Sequence, residues 1–266
     1  MAVIGTAAGV PFTALPPAGG GSAPLVVTWH MMDAPCTDAA FAAALPLSGV
    51  AAWRVHLGMP WCGPRAYPEG RALSVEDPMM LYVDPVVRQA ADEFPAALAD
   101  LRSRFPIADA PIGVVGGSLG GAVALTVTAS GVVPVAALAV VNAAIRAASV
   151  VELVAGLAER PYPWDASSRA AADRLDFVAR AADLKGTALL VVSGDDDYPA
   201  FRADAASLAA AVPDARLTTV PGLAHPLAER PGDQPAPQTA QAKTVDTAIT
   251  DWFATHLSGP ESRQAP

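Results

Sequence analysis

An alternation of short β-branched runs with longer, alanine-rich stretches is the feature that most constrains the fold of this chain. Two of the runs, PLVVTWH at 24–30 and TALLVVSG at 187–194, are almost continuously apolar. Such runs are typical of strands that are buried on both faces of a sheet. The stretches between the runs are long enough to form the helical crossovers that parallel strands require. This order predicts an α/β fold in which helices cover both faces of a mostly parallel sheet.

We expect eight strands in this sheet. The first two lie within residues 3–21, where a Gly turn and a Gly/Pro-rich end predict an antiparallel hairpin at a sheet edge. The other six strands are expected at 24–30, 50–57, 111–117, 134–145, 187–194 and 215–222. Helices are expected at 37–46, 84–105, 198–212 and 239–257, directly after residue 118, and twice within 146–184. Residues 58–82 carry many Gly and Pro residues, and we expect an irregular loop there.

The length and composition favour a single domain. With 266 residues and an apolar fraction of 52%, the chain can form one large domain with a sizeable core. No linker separates two halves, so we expect one domain over 1–258 and a tail at 259–266. The insertion at 146–166 stands between a strand and a helix, and we expect it to form at most a minimal cap.

The charge of the chain bears on its partners and its location. The formal net charge is −9, and the 17 basic residues are scattered rather than clustered. Because phosphate binding needs clustered Lys and Arg, we expect no nucleic-acid partner. No segment approaches the ~20 apolar residues of a membrane-spanning helix, and no basic residue precedes the apolar stretch of the N-terminus. We therefore expect no membrane partner and a cytoplasmic protein.

The chain contains two cysteines, Cys36 and Cys62. Two thiols cannot form a framework of several disulfides, and their spacing is not that of a metal site. Because no secretory signal is visible, we expect two free thiols, with a disulfide between them as the alternative, and we expect no bound metal.

The segment GGSLGG at 116–121 fits the pattern G-x-S-x-G and stands where a predicted strand ends and a helix begins. A turn this sharp forces the serine into a strained backbone conformation and requires small residues two positions to either side. It would lift the Ser118 hydroxyl above the sheet and point the helix N-terminus at it. The N–H of Leu119 would then face a developing oxyanion. An ordinary tight turn with a helix-capping serine is the alternative, and the lysine of a nucleotide-binding P-loop is missing.

A serine hydroxyl is a weak nucleophile at neutral pH and needs a base within hydrogen-bond reach. The chain offers four histidines. His56 lies in a predicted strand and His256 in the last predicted helix, so both fit structural or surface positions. His225 follows the strand at 215–222 on the loop PGLAHPLAERP and is therefore the candidate base. A solvated loop histidine is the alternative interpretation.

The base needs an acid that holds its imidazole in the correct tautomer. The sequence SGDDDY places Asp195, Asp196 and Asp197 directly after the strand at 187–194. Spacing from the glycine favours Asp197 over its two neighbours. Asp197 could instead cap the helix that begins at residue 198. The other strand end where an acid could stand carries Asn142 and no carboxylate.

The order Ser118, Asp197, His225, each at the end of a successive strand, resembles the α/β-hydrolase superfamily over essentially the whole chain. The chain is most similar to its compact prolyl-oligopeptidase-like and dienelactone-hydrolase-like members, which share loops like SGDDD and PGLAH. This resemblance implies an eight-stranded, mostly parallel sheet, a carboxylester or amide substrate, and no cofactor.

The same resemblance implies a second oxyanion N–H from the loop after the strand at 24–30. In such enzymes that loop often reads H-G-x, and here it reads His30-Met31-Met32. By position Met32 would donate the second N–H, and His30 would brace the loop rather than titrate in catalysis. Met31 stands where the family usually has glycine.

The sequence as a whole predicts a carboxylesterase-type serine hydrolase that acts on small to medium acyl or aryl esters through an acyl-enzyme. Large apolar side chains on loops near the predicted site could line a substrate pocket or pack beneath the loops. These residues are Met31, Trp61, Tyr162 and Trp164. A peptidase or amidase of the same fold, and a catalytically silent binding module, are the alternative functions.

Overall fold

The computed structural model describes residues 1–257, apart from the side chain of Arg71. The predicted tail at 259–266 lies outside the described residues. All eight strands form one sheet in the order β1-β2-β4-β3-β5-β6-β7-β8. The strands are β1 (Val3–Ala7), β2 (Val10–Leu15), β3 (Leu25–Trp29), β4 (Trp53–Leu57), β5 (Ile112–Gly117), β6 (Val135–Val141), β7 (Ala188–Asp196) and β8 (Arg216–Ala224).

The direction of the strands matches the expected α/β architecture. β1 and β2 form an antiparallel hairpin, and β2 also pairs antiparallel with β4. β3 pairs in parallel with both β4 and β5, and the pairs from β5 to β8 are parallel as well. The carboxyl ends of the strands from β3 onward therefore meet at one edge of the sheet.

Helices connect the parallel strands, largely where the sequence predicts them. They are α1 (Asp38–Ala44), α2 (Gly70–Glu76), α3 (Asp84–Arg104), α4 (Leu119–Ser130), α5 (Ala147–Leu157), α6 (Ala166–Arg174), α7 (Pro199–Ala211) and α8 (Ala240–His256). Thr37 caps α1 by accepting a hydrogen bond from the Ala40 N–H at 3.1 Å. Thr239 caps α8 in the same way through the Ala242 N–H at 3.0 Å.

Helices pack on both faces of the sheet and enclose two cores. The larger core lies between the sheet and α3, α4 and α7, and the smaller core lies between the sheet and α1 and α8. Neighbouring residues of one strand point to opposite cores, so Val114 of β5 belongs to the larger core and Val115 to the smaller one. The near-continuous apolar character of the central strands follows from this burial on both faces.

The structure corrects the prediction of an irregular loop at 58–82. Its second half is helical: α2 is followed by a π-helical turn at Pro78–Val83 that runs directly into α3. Pro78 stands in the first turn of the π-helical segment, and Pro85 stands in the first turn of α3. Neither proline breaks its helix, because a missing N–H costs nothing in a first turn. The Asp77 carboxylate accepts the Met80 N–H at 2.9 Å and starts the turn.

The predicted cap at 146–166 comprises α5 and the connection to α6. This segment lies against the helical insertion at 70–83. The Arg160 guanidinium donates to the carbonyl oxygens of Val75 and Glu76 at 3.1 and 3.2 Å. The Tyr162 hydroxyl donates to the Asp77 carboxylate at 2.6 Å. The insertions after β4 and after β6 thus form one layer of helices beside the sheet.

Candidate active site

Ser118 occupies a sharp turn between β5 and α4, with φ 48° and ψ −121°. This left-handed backbone conformation is strained for a residue with a side chain. The turn depends on two glycines, one on each side of the serine. A Cβ on Gly116 would lie 2.2 Å from the carbonyl oxygen of Gly120, and one on Gly120 would lie 2.4 Å from the carbonyl oxygens of Trp29 and His30. The G-x-S-x-G pattern is therefore a packing requirement at this turn.

The structure brings Ser118, His225 and Asp197 together at the carboxyl edge of the sheet. The Ser118 Oγ lies 2.9 Å from Nε2 of His225. Nδ1 of the same imidazole lies 2.7 Å from Oδ1 of Asp197. Because a carboxylate only accepts, Nδ1 carries the proton and Nε2 is free to accept from the serine hydroxyl. The imidazole thus connects the serine to the aspartate through two successive hydrogen bonds, and all three residues are buried.

The three adjacent aspartates have different surroundings. Asp197 is 4% exposed, whereas Asp195 and Asp196 are exposed to solvent. The Asp195 carboxylate accepts the Gly222 N–H at 2.6 Å, on the outside of the sheet edge. Asp197 also accepts the N–H of Tyr198 at 2.7 Å, just before α7. The N-cap residue of α7 is Tyr198, and no described side chain caps this helix, so the alternative role of Asp197 as a helix cap is not found.

Two aromatic rings from the start of α7 pack around the imidazole of His225. The ring centroids of Tyr198 and Phe201 each lie 5.1 Å from the centroid of the His225 ring. These contacts restrict the imidazole from two sides and shield it from water. Sequence reasoning did not single out either residue, although Tyr198 directly follows the three aspartates in DDDYPAF and Phe201 stands three residues later.

The two predicted oxyanion donors lie on segments that pack against each other. Leu119 is the first residue of α4, so its N–H has no acceptor within the helix. Met32 lies on the loop after β3. That loop touches the start of α4 at Gly120, where only a glycine fits against the Trp29 and His30 carbonyls. The roles of Leu119 and Met32 as oxyanion donors remain predictions.

His30 braces the loop after β3. Its Nε2 accepts the Met59 N–H at 2.9 Å, and its Nδ1 lies 2.6 Å from the Met31 carbonyl oxygen. The imidazole is therefore neutral, with its proton on Nδ1. Burial lowers the pKa of His30 to about 4, although the contact with the Met31 carbonyl opposes the shift. His30 thus joins the loops after β3 and β4 without a charge.

For Met31, the structure favours packing beneath a loop over the lining of a substrate pocket. The Met31 side chain is completely buried in the smaller core. It packs over Gly117, where an added Cβ would lie 2.8 Å from the Met31 Cγ and 3.3 Å from the Phe41 ring. A side chain at this position therefore belongs to the packing under the turn and not to a surface that a substrate can reach.

The other three predicted pocket residues have partners of their own, and their role in a pocket remains a prediction. Trp61 packs against the rings of Tyr67 and Tyr82, with centroids 5.5 and 5.7 Å away. Tyr162 and Trp164 form an edge-to-face pair at 4.7 Å. Trp164 also lines a cavity of about 260 Å³ between α5 and α6, whose other lining residues are Ala148, Glu152, Arg169, Ala172 and Asp173.

An ion pair on the surface connects two loops near the site. The Arg230 guanidinium donates to both carboxylate oxygens of Asp33, with Nε 2.9 Å from Oδ1. The hydrogen bond from Arg230 lowers the pKa of Asp33, and burial opposes this effect. Arg230 lies five residues beyond His225, and Asp33 directly follows Met32. The loops that carry these two residues, one after β3 and one after β8, are thus tied to each other.

Cys36 and Cys62 are both free thiols. Burial raises the pKa of the Cys62 thiol to about 12, so this side chain is a poor nucleophile at neutral pH. Within residues 1–257, no three or more His, Cys, Asp and Glu side chains are grouped so that they could hold a metal ion. Among the same residues, no helix combines the length and the apolar character needed to span a bilayer.

No protein-family model matches the sequence, and no curated protein matches it either. Solved structures nevertheless share the fold along nearly the whole chain. Est1E from Butyrivibrio proteoclasticus has a TM-score of 0.63 and 14% identity, and the match covers 97% of this chain and 99% of that one. A dienelactone hydrolase from Anabaena variabilis has a TM-score of 0.59 and 16% identity, with 96% and 97% covered. An enol-lactonase from Burkholderia xenovorans has a TM-score of 0.60 and 16% identity, with 95% and 100% covered.

These proteins belong to the α/β-hydrolase fold, and the chain described here has that fold. The prediction of the fold class is therefore confirmed. At identities this low the likeness concerns the fold, and function must be argued from the site itself.

The buried, neutral His30 predicts a loss of stability in acid. In the unfolded chain the imidazole binds a proton near pH 6.5, but in the folded chain only near pH 4. Stability from this group is complete above pH 6.5 and is lost as the pH falls towards 4, by about 3 kcal/mol in total. Chemical denaturation between pH 7 and 4 measures this loss. Around pH 5, the free energy of unfolding of His30→Gln should fall less steeply with decreasing pH than that of wild type, and the two slopes should differ by up to about 1.4 kcal/mol per pH unit. Equal slopes would contradict a buried, neutral His30.

The glycine contacts predict opposite effects of three alanine substitutions. Gly116→Ala and Gly120→Ala would press a Cβ against backbone atoms that cannot move aside. We expect each to lower the free energy of unfolding by more than about 4 kcal/mol or to prevent folding. Gly156→Ala is the matched control, because nothing lies within 4 Å of a Cβ there. Within α5 it should stabilise the protein by about 0.5–1 kcal/mol. Thermal denaturation of the three variants tests this ranking, and similar melting temperatures would refute it.

Proposed function

We propose that this chain is a serine hydrolase that cleaves carboxylic esters through an acyl-enzyme. Ser118 is the nucleophile, His225 the base and Asp197 the acid that orients the base. The observation that carries the proposal is the continuous pair of hydrogen bonds, 2.9 Å from Ser118 to His225 and 2.7 Å from His225 to Asp197. It is built on a strained serine turn at the start of a helix, which is the arrangement that acyl transfer needs.

The reaction follows from the protonation states of these groups. Nε2 of His225 takes the proton of the Ser118 hydroxyl as the oxygen attacks the ester carbonyl. The imidazolium that forms is stabilised by the Asp197 carboxylate, and it returns the proton to the leaving alcohol. His225 then takes a proton from a water molecule that attacks the acyl-enzyme, the bond between the acyl group and Ser118 breaks, and the imidazolium returns the proton to the Ser118 oxygen as the acid leaves. The N–H groups of Leu119 and Met32 stabilise the negative oxygen in both steps.

Two features favour a hydrolase over a silent binding module. Burial of a carboxylate and a histidine costs desolvation free energy, which their mutual hydrogen bond offsets only in part. A simple binding surface does not need a buried pair of this kind. The backbone of Ser118 is also strained, and strain of this kind is concentrated at functional sites. In addition, two structural neighbours of the chain are a dienelactone hydrolase and an enol-lactonase, which supports an ester bond as the target of the reaction.

We propose a small-molecule ester with a small to medium acyl or aryl group as the substrate. The segment 146–166 contributes one helix of 11 residues and a short connection. Together with the insertion at 70–83 it forms a cap of a few short helices, from which we infer a small or medium acyl group. The rings of Tyr198 and Phe201 beside His225 offer an apolar wall for an aromatic group. Est1E has been solved with ferulic acid bound, so an aromatic acid is bound by a protein of similar fold. The proposed reaction requires no cofactor.

Substitution of the three residues tests the proposed roles. Ser118→Ala should lower kcat for nitrophenyl acetate by roughly 10⁶-fold, and Asp197→Asn by roughly 10⁴-fold, with little change in KM. Asp196→Asn is the matched control, because this neighbouring carboxylate is exposed, and it should stay within about twofold of wild type. A fluorophosphonate probe should label Ser118 of the wild-type protein covalently. Failure of the folded protein to react with the probe would favour the binding module.

The proposed substrate class predicts a preference among esters and amides. Because the cap is small, kcat/KM for nitrophenyl esters should be highest from acetate to butyrate and should fall for chains of palmitate length. Matched nitroanilides should react more slowly than the esters, since an amide has the poorer leaving group. A series of both compounds, measured with Ser118→Ala as the blank, gives the answer. Faster cleavage of the anilides would point to the peptidase or amidase instead.

A further inference from the structure

Asn142 is a buried polar residue that lies among the three segments of the candidate active site. It follows β6, and β6 lies between β5, which leads to Ser118, and β7, which leads to Asp197. Asn142 is 2% exposed and has a left-handed backbone with φ 43°. Asparagine adopts this conformation more readily than most residues other than glycine. The backbone at this position thus favours Asn independently of what its side chain contacts.

The Asn142 side chain makes three hydrogen bonds to the segments that carry the acid and the base. Its Oδ1 accepts the Gly194 N–H at 2.8 Å, three residues before Asp197. Its Nδ2 donates to the carbonyl oxygens of Ala224 and His225 at 2.8 and 3.1 Å. A backbone N–H on one side and two carbonyls on the other fix which end of the amide is oxygen. The primary amide thus matches three partners that neither a carboxylate nor an apolar side chain could satisfy.

The main chain around Asn142 holds the serine turn. The Ser118 N–H donates to the Val141 carbonyl oxygen at 3.1 Å, and the Ser118 carbonyl accepts the Ala144 N–H at 2.9 Å. The Asn142 N–H itself donates to the Val192 carbonyl of β7 at 3.0 Å. One short segment, 141–144, is therefore bonded to the nucleophile turn, to the strand before the acid and to the loop of the base.

We propose, resting on the function proposed above, that Asn142 is a positioning residue that sets the place of His225 relative to Ser118 and Asp197. The His225 imidazole must meet the serine and the aspartate at once, and its own main-chain carbonyl is held by the Asn142 amide. Without the amide, the buried carbonyls of Ala224 and His225 lose their donor and the loop shifts to find another. A shift of about 1 Å in a catalytic group costs on the order of 10²-fold in rate.

Two substitutions separate this role from ordinary packing. Asn142→Gly tolerates the left-handed backbone and removes all three side-chain bonds. Asn142→Asp keeps the shape and the acceptor for the Gly194 N–H, but it cannot donate to the two carbonyls. The matched control is Thr13→Val, which removes a different buried hydrogen bond, from the Thr13 hydroxyl to Asp38 at 2.7 Å, on strand β2.

The experiment measures kcat and KM for nitrophenyl acetate, the melting temperature, and the downfield proton resonance of the His225–Asp197 hydrogen bond in full-length protein. We expect both Asn142 variants to lose roughly 10- to 100-fold in kcat with KM nearly unchanged. Their downfield resonance should broaden or vanish. Thr13→Val should keep the wild-type kcat and the resonance at a comparable fall in melting temperature. If Asn142→Gly does not fold, Asn142→Asp alone decides, because it preserves the volume of the side chain.

The outcomes distinguish this inference from the proposed function. Wild-type protein that is not labelled by a fluorophosphonate refutes the esterase, whatever the variants do. If wild type is labelled, the inference is overturned by wild-type kcat in Asn142→Asp, by a change confined to KM, or by an equal fall of kcat in Thr13→Val.

Discussion

The close contact of the start of α4 with the ends of β3 and β5 is the constraint on which the site depends. A Cβ on Gly120 would lie 2.4 Å from the carbonyl oxygens of Trp29 and His30, and one on Gly116 would lie 2.2 Å from the Gly120 carbonyl oxygen. This contact brings the Ser118 turn, the first free N–H groups of a helix and the loop after β3 to one point. Because both glycines lack a side chain, the segments can pack this closely. The packing holds Ser118 in a backbone conformation that serine does not favour by itself.

A second level of organisation comes from buried polar groups at the carboxyl edge of the sheet. His30, Asn142, Asp197 and His225 are all buried, and each bonds to the main chain or the side chain of a neighbouring loop. In a medium of low dielectric constant such bonds are strong when they are satisfied and costly when they are not. They therefore favour one arrangement of the loops over many. The Arg230–Asp33 pair at the surface, whose Arg230 side chain is 65% exposed, contributes much less to this selection.

Much of the fold could be predicted from the sequence because burial on both faces leaves a plain pattern. The eight strands, the edge hairpin and most helices follow from apolar runs and from Gly and Pro residues at their ends. The helices at 70–83 were missed because prolines in first turns look the same in sequence as prolines that break a helix. For Met31 the choice between a pocket and packing stayed open, because sequence shows that a residue follows a strand but not which way its side chain points.

In the candidate site, too, local sequence patterns predicted some features, and contacts between distant residues decided others. Ser118 could be found because the glycines around it are required by local geometry, and local geometry is visible in a short motif. The choice among three aspartates was reached by spacing, and the burial of Asp197 gives it a physical reason. Asn142 was noticed only as the absence of an acid. Its partners at Gly194 and Ala224 are 52 and 82 residues away along the chain, so no local pattern could reveal them.

The need for a residue such as Asn142 follows from the place of His225 in the sheet. The loop of His225 leaves β8, the last strand of the sheet, which pairs with β7 alone. The pairing of these two strands is irregular at Gly194, where a Cβ would lie 2.0 Å from the Leu223 carbonyl oxygen. A strand at the edge of a sheet has hydrogen-bonding partners on one side only, so the sheet holds its end, and the loop that follows, with fewer bonds than a central strand.

Other contacts must therefore direct this loop, and the structure supplies them from two sides. Asn142 and Asp197 bond to it from the inside of the site. From the outside, the Leu227 N–H donates to the Ala34 carbonyl at 3.0 Å, and the Cys36 N–H donates to the Gly232 carbonyl at 2.9 Å. The outer contacts join the loop of the base to the loop after β3, which carries the predicted oxyanion donor. In the mechanism proposed above, the base activates the serine that attacks the ester carbonyl, and the oxyanion donor stabilises the oxygen of the same carbonyl. A direct tie between their loops therefore fixes the base and the donor relative to each other.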